Sequence, residues 1–338
     1  MLPPWASCGG CSWLGSCRPC FCSFRSGSMV VVYPAPVRFR PTVAGDVPRM
    51  SDVRALCSDR LELGECGRWV GDRVVLVDIP AGRLFGTSAA AAAPQSLTQL
   101  AELPVPLAAI APVRDAPGSW LAAAGNGFWL LAPDGVRQVA AVEPVTAKEW
   151  RMNDAVADPA GRFWAGSMAC DQSPRGGALY RLDPDGRVHT VLRGLTIANG
   201  PAFTSDGRTM FLSDTPLGHV DRFDVDPGTG EVSGRRPFLR LDAAEGAPDG
   251  LTLDADGFLW VALFGGGAVR RYRPDGQLDR VVPVPARQPT SVCLAGSRLV
   301  VTSGRGGLEH PGPDDGAVLV TDAGATGLPA LAASPPTA

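Results

Sequence analysis

The chain has 338 residues, of which 45% are hydrophobic and 19% charged, and its 31 basic and 34 acidic residues give a net charge of -3. This composition can bury one large core or two ordinary ones, and the mixed charges argue against a nucleic-acid or membrane partner. No apolar run approaches the ~20 residues needed to span a bilayer. The cysteines of the chain body are irregularly spaced, so we expect no disulfide scaffold and a cytoplasmic location.

Residues 1–50 differ in composition from the rest of the chain, being rich in Cys, Pro, Ser and Gly without strand or helix periodicity. Two Cys-x2-Cys pairs begin at Cys8 and Cys17, but the loop between them is shorter than in zinc ribbons. A secretory signal is not expected, because a basic start and a clean apolar region are missing. We therefore expect a disordered extension, or a start assigned too early, with Met29 or Met50 as the true one.

From residue 51 onward, a unit recurs in which a glycine precedes a short run of β-forming residues. The six copies begin at Gly71, Gly118, Gly161, Gly207, Gly257 and Gly296. The step between copies is about 40 to 50 residues, the length of a four-stranded propeller blade. One such sheet cannot bury both faces alone, whereas blades packed around an axis can. The sequence predicts an all-β, six-bladed β-propeller over residues 51–325 with a central channel, and makes a pair of β-sandwiches the less favoured alternative.

Several segments carry individual predictions within this architecture. The segment VRALCSD near residue 53 is expected to add a strand to the last blade and close the ring. The run Ala89–Ala93 with the following PQSLTQLAEL indicates either a short helical insertion or a loop, and Gly265–Gly267 indicates a turn. Residues 326–338, rich in Ala and Pro, are expected to form a loose tail.

Small polar clusters precede four of the repeated runs, each ten residues or fewer before the glycine. Asn-Gly and Asp-Gly are common in turns, but their equal phase in successive blades predicts that they meet at the central channel. Carboxylates and amides are hard oxygen donors, and a set of two carboxylates and an amide drawn from these clusters would suit Ca²⁺, Mg²⁺ or Mn²⁺, and Zn²⁺ less well. The cluster residues are Glu65, Arg151, Asn153, Asp154, Asn199 and Asp249.

Other catalytic signatures are missing from the sequence. The three histidines, His189, His219 and His310, precede no repeat, and we interpret them as surface or structural residues. There is no G-x-S-x-G elbow, no P-loop and no dinucleotide-binding fingerprint after a strand.

Four segments carry a resemblance to a known family: LGECGRWVGDRVVLVDI, RMNDAVADPAGRFWAGSM, ANGPAFTSDGRTMFLSD and PDGLTLDADGFLWVALFGGGAVRRYRPDG. In their order along residues 55–325 they resemble the senescence marker protein/gluconolactonase/regucalcin family. The resemblance implies a six-bladed propeller with one divalent metal ion (Ca, Mg, Mn or Zn) in the central channel. It also implies a metal-dependent lactonase that hydrolyses small-molecule sugar lactones to aldonic acids.

The resemblance also assigns roles to individual residues. By motif match, Glu65, Asn199 and Asp249 would be the metal ligands, and Asp249 would also be the catalytic general base. Arg151 and Asn153 would bind the sugar hydroxyls or the lactone oxygens.

Three positions bear on how closely the chain follows the family pattern. Asp171 falls where many members carry an acidic substrate contact, although the more frequent residue there is the longer Glu. Cys66 and Ala155 stand where the family usually has Gly. The first difference bears on substrate choice, and the other two bear on local backbone geometry.

Two other functions are compatible with the same residues. One is an aryl ester or organophosphate hydrolase on the same scaffold, and the other is a non-catalytic calcium-binding propeller. Both stay open, since fold alone does not determine function. We expect the protein to be a monomer or a small homo-oligomer.

Overall fold

The computed structural model describes residues 49–336, and the expectations for the first 48 residues lie outside this range. In the described part, 24 strands form six four-stranded antiparallel sheets, which confirms the predicted six-bladed β-propeller. Three short 3-10 helices lie between the strands, at Met50–Asp52, Thr215–Leu217 and Ala243–Glu245. No helix within residues 49–336 is long and apolar enough to cross a membrane.

The ring closes in the last blade, where an N-terminal strand joins three C-terminal strands. Strand β1 (Arg54–Ala55) pairs with β24 (Leu319–Asp322), as predicted for the segment near residue 53. Joining the two chain ends in one sheet removes an open edge from the ring.

Blades one to three are each built from four consecutive strands. The first contains β2 (Gly64–Val70), β3 (Arg73–Asp78), β4 (Arg83–Ser88) and β5 (Thr98–Glu102). The second contains β6 (Leu107–Pro112), β7 (Trp120–Ala124), β8 (Gly127–Ala132) and β9 (Gly135–Ala141). The third contains β10 (Trp150–Ala157), β11 (Phe163–Ala169), β12 (Gly177–Leu182) and β13 (Val188–Leu195).

Blades four and five follow the same order, and blade six is completed by β1. The fourth contains β14 (Ala198–Phe203), β15 (Thr209–Asp214), β16 (His219–Val225) and β17 (Val232–Arg240). The fifth contains β18 (Ala247–Leu253), β19 (Leu259–Phe264), β20 (Ala268–Tyr272) and β21 (Leu278–Pro283). The last contains β22 (Pro289–Ala295) and β23 (Arg298–Ser303) together with β24 and β1.

The central channel is lined by the first strand of each blade. Each of the six strands β2, β6, β10, β14, β18 and β22 contacts the corresponding strand of both neighbouring blades. The second strands are almost wholly buried, as in β11, because apolar faces of adjacent blades pack against both of their sides.

The sequence echo DPAGRFW and DADGFLW is explained by a brace between the first and second strands. The carboxylates of Asp158 and Asp254 each accept a hydrogen bond from an indole N–H six residues later, in Trp164 and Trp260, at 2.9 Å. The intervening turn contains a glycine, which at Gly161 adopts a left-handed φ of 86°. These repeated aspartates therefore serve the fold and not the central site.

The Ala-rich run of the first blade is an irregular loop, so the helical alternative is wrong. The loop lies against the last blade, where Arg54 and Arg298 donate hydrogen bonds to the carbonyls of Ala91 and Ala89, at 2.8 and 2.7 Å. The stretch that follows contains β5, a strand. Gly265–Gly267 forms the predicted turn between β19 and β20.

The expectation of a loose tail is wrong for residues 326–334. This segment exchanges backbone hydrogen bonds with five of the six blades, at the face where the first strands end, and Ala333 is fully buried. The partners outside the tail are Ala255, Gly296, Trp69, Pro112, Arg114 and Gly161. The segment has no strand periodicity because it bonds to the ends of existing strands and to turns, and forms no sheet of its own.

Candidate active site

A repeated irregularity positions the polar residues of the channel. In every first strand the pairing with the second strand shifts register close to the strand's beginning, as between Glu65 and Arg68 in β2. Such a bulge leaves residues unpaired and turns their side chains in a new direction. The residues within or beside these bulges include Glu65, Asn153, Asp154, Asn199, Asp249, Thr290 and Ser291.

The Asn-Gly and Asp-Gly pairs of the sequence are parts of strands. Asn199 and Gly200 lie in β14, and Asp249 and Gly250 lie in β18. A Cβ atom at Gly250 would come within 2.9 Å of the Ser291 backbone, so glycine permits the close approach of blades five and six. The equal phase noticed in the sequence therefore has a structural cause.

Amide and hydroxyl groups connect three blades at this level. Asn153 Nδ2 donates to Asn199 Oδ1 at 2.7 Å, and Arg151 Nη1 donates to Asn153 Oδ1 at 2.8 Å. Asn199 Nδ2 donates to Thr215 Oγ1 at 2.7 Å, and the Thr215 hydroxyl donates to the carbonyl of Pro248 at 2.8 Å. The network therefore holds Asn153 and Asn199 close to Pro248, the residue that precedes Asp249.

Three carboxylates are buried in the same cluster: Glu65, Asp154 and Asp249 are 6%, 3% and 5% exposed. Burial and, after it, the charge of Asp154 raise the pKa of Glu65 to about 8. Burial raises the pKa of Asp249 well above its usual range, and the charges of Glu65 and Asp154 act in the same direction. A bound cation would stabilise the ionised form of all three groups.

The predicted metal ligands fit a hard divalent cation. After burial, the charge of Glu65 raises the pKa of the Asp249 carboxyl and the Asn199 side chain lowers it, so the three side chains are neighbours. Within residues 49–336 no group of three or more His, Cys, Asp or Glu side chains has a metal-holding arrangement. The predicted set contains two carboxylates and an amide, and Asn199 Oδ1 has a second lone pair beyond the one that Asn153 uses.

The structure places Asp171 apart from this network. It lies in the loop after β11, at the rim where β10 begins, and its side chain is 52% exposed. Its carboxylate pairs with Lys148 Nζ at 2.6 Å and accepts the backbone N–H of Ser173 at 3.0 Å. A substrate role for Asp171 therefore stays a prediction.

Sequence reasoning found Asp154 as a polar residue but missed its partner, Arg68. The guanidinium of Arg68 in blade one contacts Asp154 in blade three. The two residues are 86 positions apart in the sequence, so no local spacing indicates the pair. The seryl and threonyl side chains of the last blade, at Thr290 and Ser291, were also missed, because no Asn or Asp marks that bulge.

The difference from the family pattern at Cys66 has a visible backbone consequence. Cys66 adopts a left-handed φ of 54°, a conformation that glycine takes more readily than cysteine. Its buried Sγ accepts the backbone N–H of Ile110 at 3.1 Å, and burial raises the pKa of the thiol to about 12. The thiol is therefore structural and unreactive.

Comparisons with known proteins bear directly on this arrangement. A family model described as the SMP-30/Gluconolactonase/LRE-like region matches residues 63–305, which include every bulge of the channel. The chain belongs to this family. It is 37% identical over 283 residues to pentonolactonase XacC of Haloferax volcanii, a match covering 79% of this chain and 93% of the relative.

Two regucalcins show the same relationship. The chain is 32% identical over 299 residues to regucalcin of Bos taurus, covering 83% of this chain and 98% of the relative. Its fold superposes on the crystal structure of the calcium-binding protein regucalcin from Agrobacterium tumefaciens with a TM-score of 0.74 and 26% identity, covering 84% of this chain and 97% of that one. The family and the β-propeller predicted from the sequence are thus confirmed.

Proposed function

We propose that the protein is a divalent-metal-dependent hydrolase that opens sugar lactones to aldonic acids. The observation that carries the proposal is the convergence of Glu65, Asn199 and Asp249 in one channel, with Arg151 and Asn153 joined to the same network. The similarity to a pentonolactonase supports a lactone as the substrate class.

A divalent cation held by Glu65, Asn199 and Asp249 would polarise the lactone carbonyl and stabilise the negative charge that develops on its oxygen. The donor set supports this assignment, because carboxylate and amide oxygens are the ligands that Ca²⁺, Mg²⁺ and Mn²⁺ prefer.

Three residues of the chain would activate the water and bind the substrate. Asp249 accepts a proton from the attacking water, since its carboxylate is buried in the channel beside the proposed ligands Glu65 and Asn199. Asn153 uses its amide group to donate to Asn199 and to the carbonyl of Ala198, so its Oδ1 offers an acceptor to a sugar hydroxyl. Arg151 contributes a planar cation beside that oxygen, suited to electron-rich lactone oxygens.

The test compares two aspartates of the same blade on a substrate panel. Asp249→Asn should lower kcat on sugar lactones by about 10²-fold or more, because the general base is removed. Asp256→Asn is the matched control, since its side chain is 70% exposed in the turn after β18 and should leave kcat unchanged. An Asp249→Asn variant with nearly wild-type kcat would refute the assignment.

The panel also separates the reaction classes. The wild-type protein should hydrolyse D-glucono-1,5-lactone or pentonolactones faster than phenyl acetate or an organophosphate. The reverse order would identify an ester hydrolase on the same scaffold, and binding of metal without turnover would identify a binding protein.

A further inference from the structure

A buried ion pair lies next to the proposed metal ligands and is used by none of the roles assigned above. Arg68 Nη2 donates to Asp154 Oδ1 at 3.2 Å and to the carbonyl of Ala155 at 2.6 Å, and Nη1 donates to the carbonyl of Gly67 at 2.9 Å. The side chains are 10% and 2% exposed. The pair joins the first strands of blades one and three across the position of blade two.

Small residues of the second blade accommodate this connection. The corresponding segment of β6 is LAAIAP, in which Ala108 and Ala109 are buried and carry no polar side-chain atoms. Blade two thus contributes no polar group at its bulge, and the guanidinium of Arg68 supplies a positive charge to the cluster.

Asp154 is held by donors from three blades. Its Oδ1 accepts the backbone N–H of Ala155 at 2.8 Å in addition to Arg68, and its Oδ2 accepts the backbone N–H of Gly200 at 3.0 Å. Gly200 directly follows the proposed ligand Asn199. Both carboxylate oxygens of Asp154 are therefore directed to protein donors, although the residue is a hard oxygen donor of the same kind as Glu65 and Asp249.

We propose that Arg68 is a positioning residue of the proposed metal site, which keeps Asp154 out of the metal's ligand set and cancels its charge. This inference rests on the proposed function. The bound cation then has two anionic ligands, Glu65 and Asp249, and one amide, and Asp154 is not a third anionic ligand. With fewer anionic ligands, the cation binds the protein less tightly and attracts the substrate oxygen more strongly.

Removing the charge of Arg68 should tighten metal binding, an effect that a merely structural role would not produce. Arg68→Met exposes the cluster to the charge of Asp154, so divalent-cation binding should become tighter by about tenfold or more while kcat falls. If Arg68 only stabilised the fold, its replacement would weaken metal binding and lower kcat together. Asp154→Asn leaves the Arg68 charge uncompensated and should weaken binding by about tenfold or more.

The experiment is a double-mutant cycle on the full chain stripped of metal, with Kd for Ca²⁺ and for Mn²⁺ measured by titration calorimetry at pH 8. The double variant Arg68→Met with Asp154→Asn removes both charges and should return Kd to within about threefold of wild type. Arg68→Lys keeps the charge and should bind with a Kd near that of wild type.

The outcomes separate the two hypotheses. A Kd for Arg68→Met that is unchanged or weaker in a folded protein overturns the role of Arg68. If Arg68→Met does not fold, equal affinities for Asp154→Asn and the double variant overturn it instead. A wild-type protein that binds no divalent cation contradicts the proposed function itself.

Discussion

Two aspartates five positions apart in the fifth blade should behave in opposite ways when replaced. Asp254 is a structural carboxylate: it accepts hydrogen bonds from the backbone of Phe258 at 3.0 Å, from Trp260 Nε1 at 2.9 Å and from Arg271 Nε at 2.8 Å. Asp249 is a proposed metal ligand with the charges of Glu65 and Asp154 nearby. The sequence APDGLTLDADG gives both the same appearance.

The magnitude for Asp254→Ala follows from the partners it leaves behind. Removing one member of a buried ion pair costs about 3–5 kcal/mol, because the other charge stays buried without compensation. Arg271 retains Asp279 at 2.9 Å, which favours the lower end of this range. About 3 kcal/mol corresponds to a fall in Tm of about 6 °C for a chain of this size.

Asp249→Ala should leave the Tm of the metal-free protein unchanged or raised. Its carboxylate is buried near Glu65 and Asp154, so its removal relieves repulsion instead of breaking a pair. The assay is thermal unfolding of both variants in excess chelator, followed by circular dichroism. A fall of several degrees for Asp249→Ala, or none for Asp254→Ala, would refute this division between fold and site.

Three further predictions concern the metal-free cluster, the rim and the tail. Burial raises the pKa of Glu65 to about 8 from 4.5, so the folded protein holds a proton that the unfolded chain releases. The free energy of unfolding of the metal-free protein should therefore fall as pH rises between about 5 and 8. A Glu65→Gln variant should show a smaller slope but keep part of it, since burial also raises the pKa of Asp249; equal slopes in the two proteins would be inconsistent with this account. Asp171→Ala should raise KM for the lactone severalfold with little change in kcat, and an unchanged KM would remove Asp171 from the substrate site. Deletion of residues 326–338 should lower Tm by at least about 4 °C, because bonds to five blades are lost, whereas deletion of 335–338 alone should not; equal Tm values would contradict the role of the tail.

The fold was accessible from the sequence because its unit repeats. The glycine-led runs mark the second strand of each blade, and the polar clusters mark the bulges of the first strand at a constant phase. A repeated period converts weak local signals into a strong one, since each blade must present the same strand to the channel. Glu65, Asn199 and Asp249 were predicted as metal ligands by that reasoning together with the family resemblance, and the structure places them in one cluster.

What the sequence did not disclose depends on contacts between blades. Arg68 meets Asp154 only because two bulges bring blades one and three together, and the tail finds its partners at strand ends and turns of five blades. Neither contact has a period, so pattern analysis has no means of detecting it. The same limit applies to Asp254, whose role becomes visible only when Arg271 and Trp260 are seen around it.

The central claim is that hydrolysis of a sugar lactone depends on a divalent cation in the channel. The most direct measurement is acid release from D-glucono-1,5-lactone and pentonolactones by chelator-stripped protein, with Ca²⁺, Mg²⁺, Mn²⁺ or Zn²⁺ added back singly and spontaneous opening subtracted. We predict no rate above background in the stripped protein and recovery with at least one of these cations. A full rate without metal, or no rate with any cation in a protein that binds it, would contradict the claim.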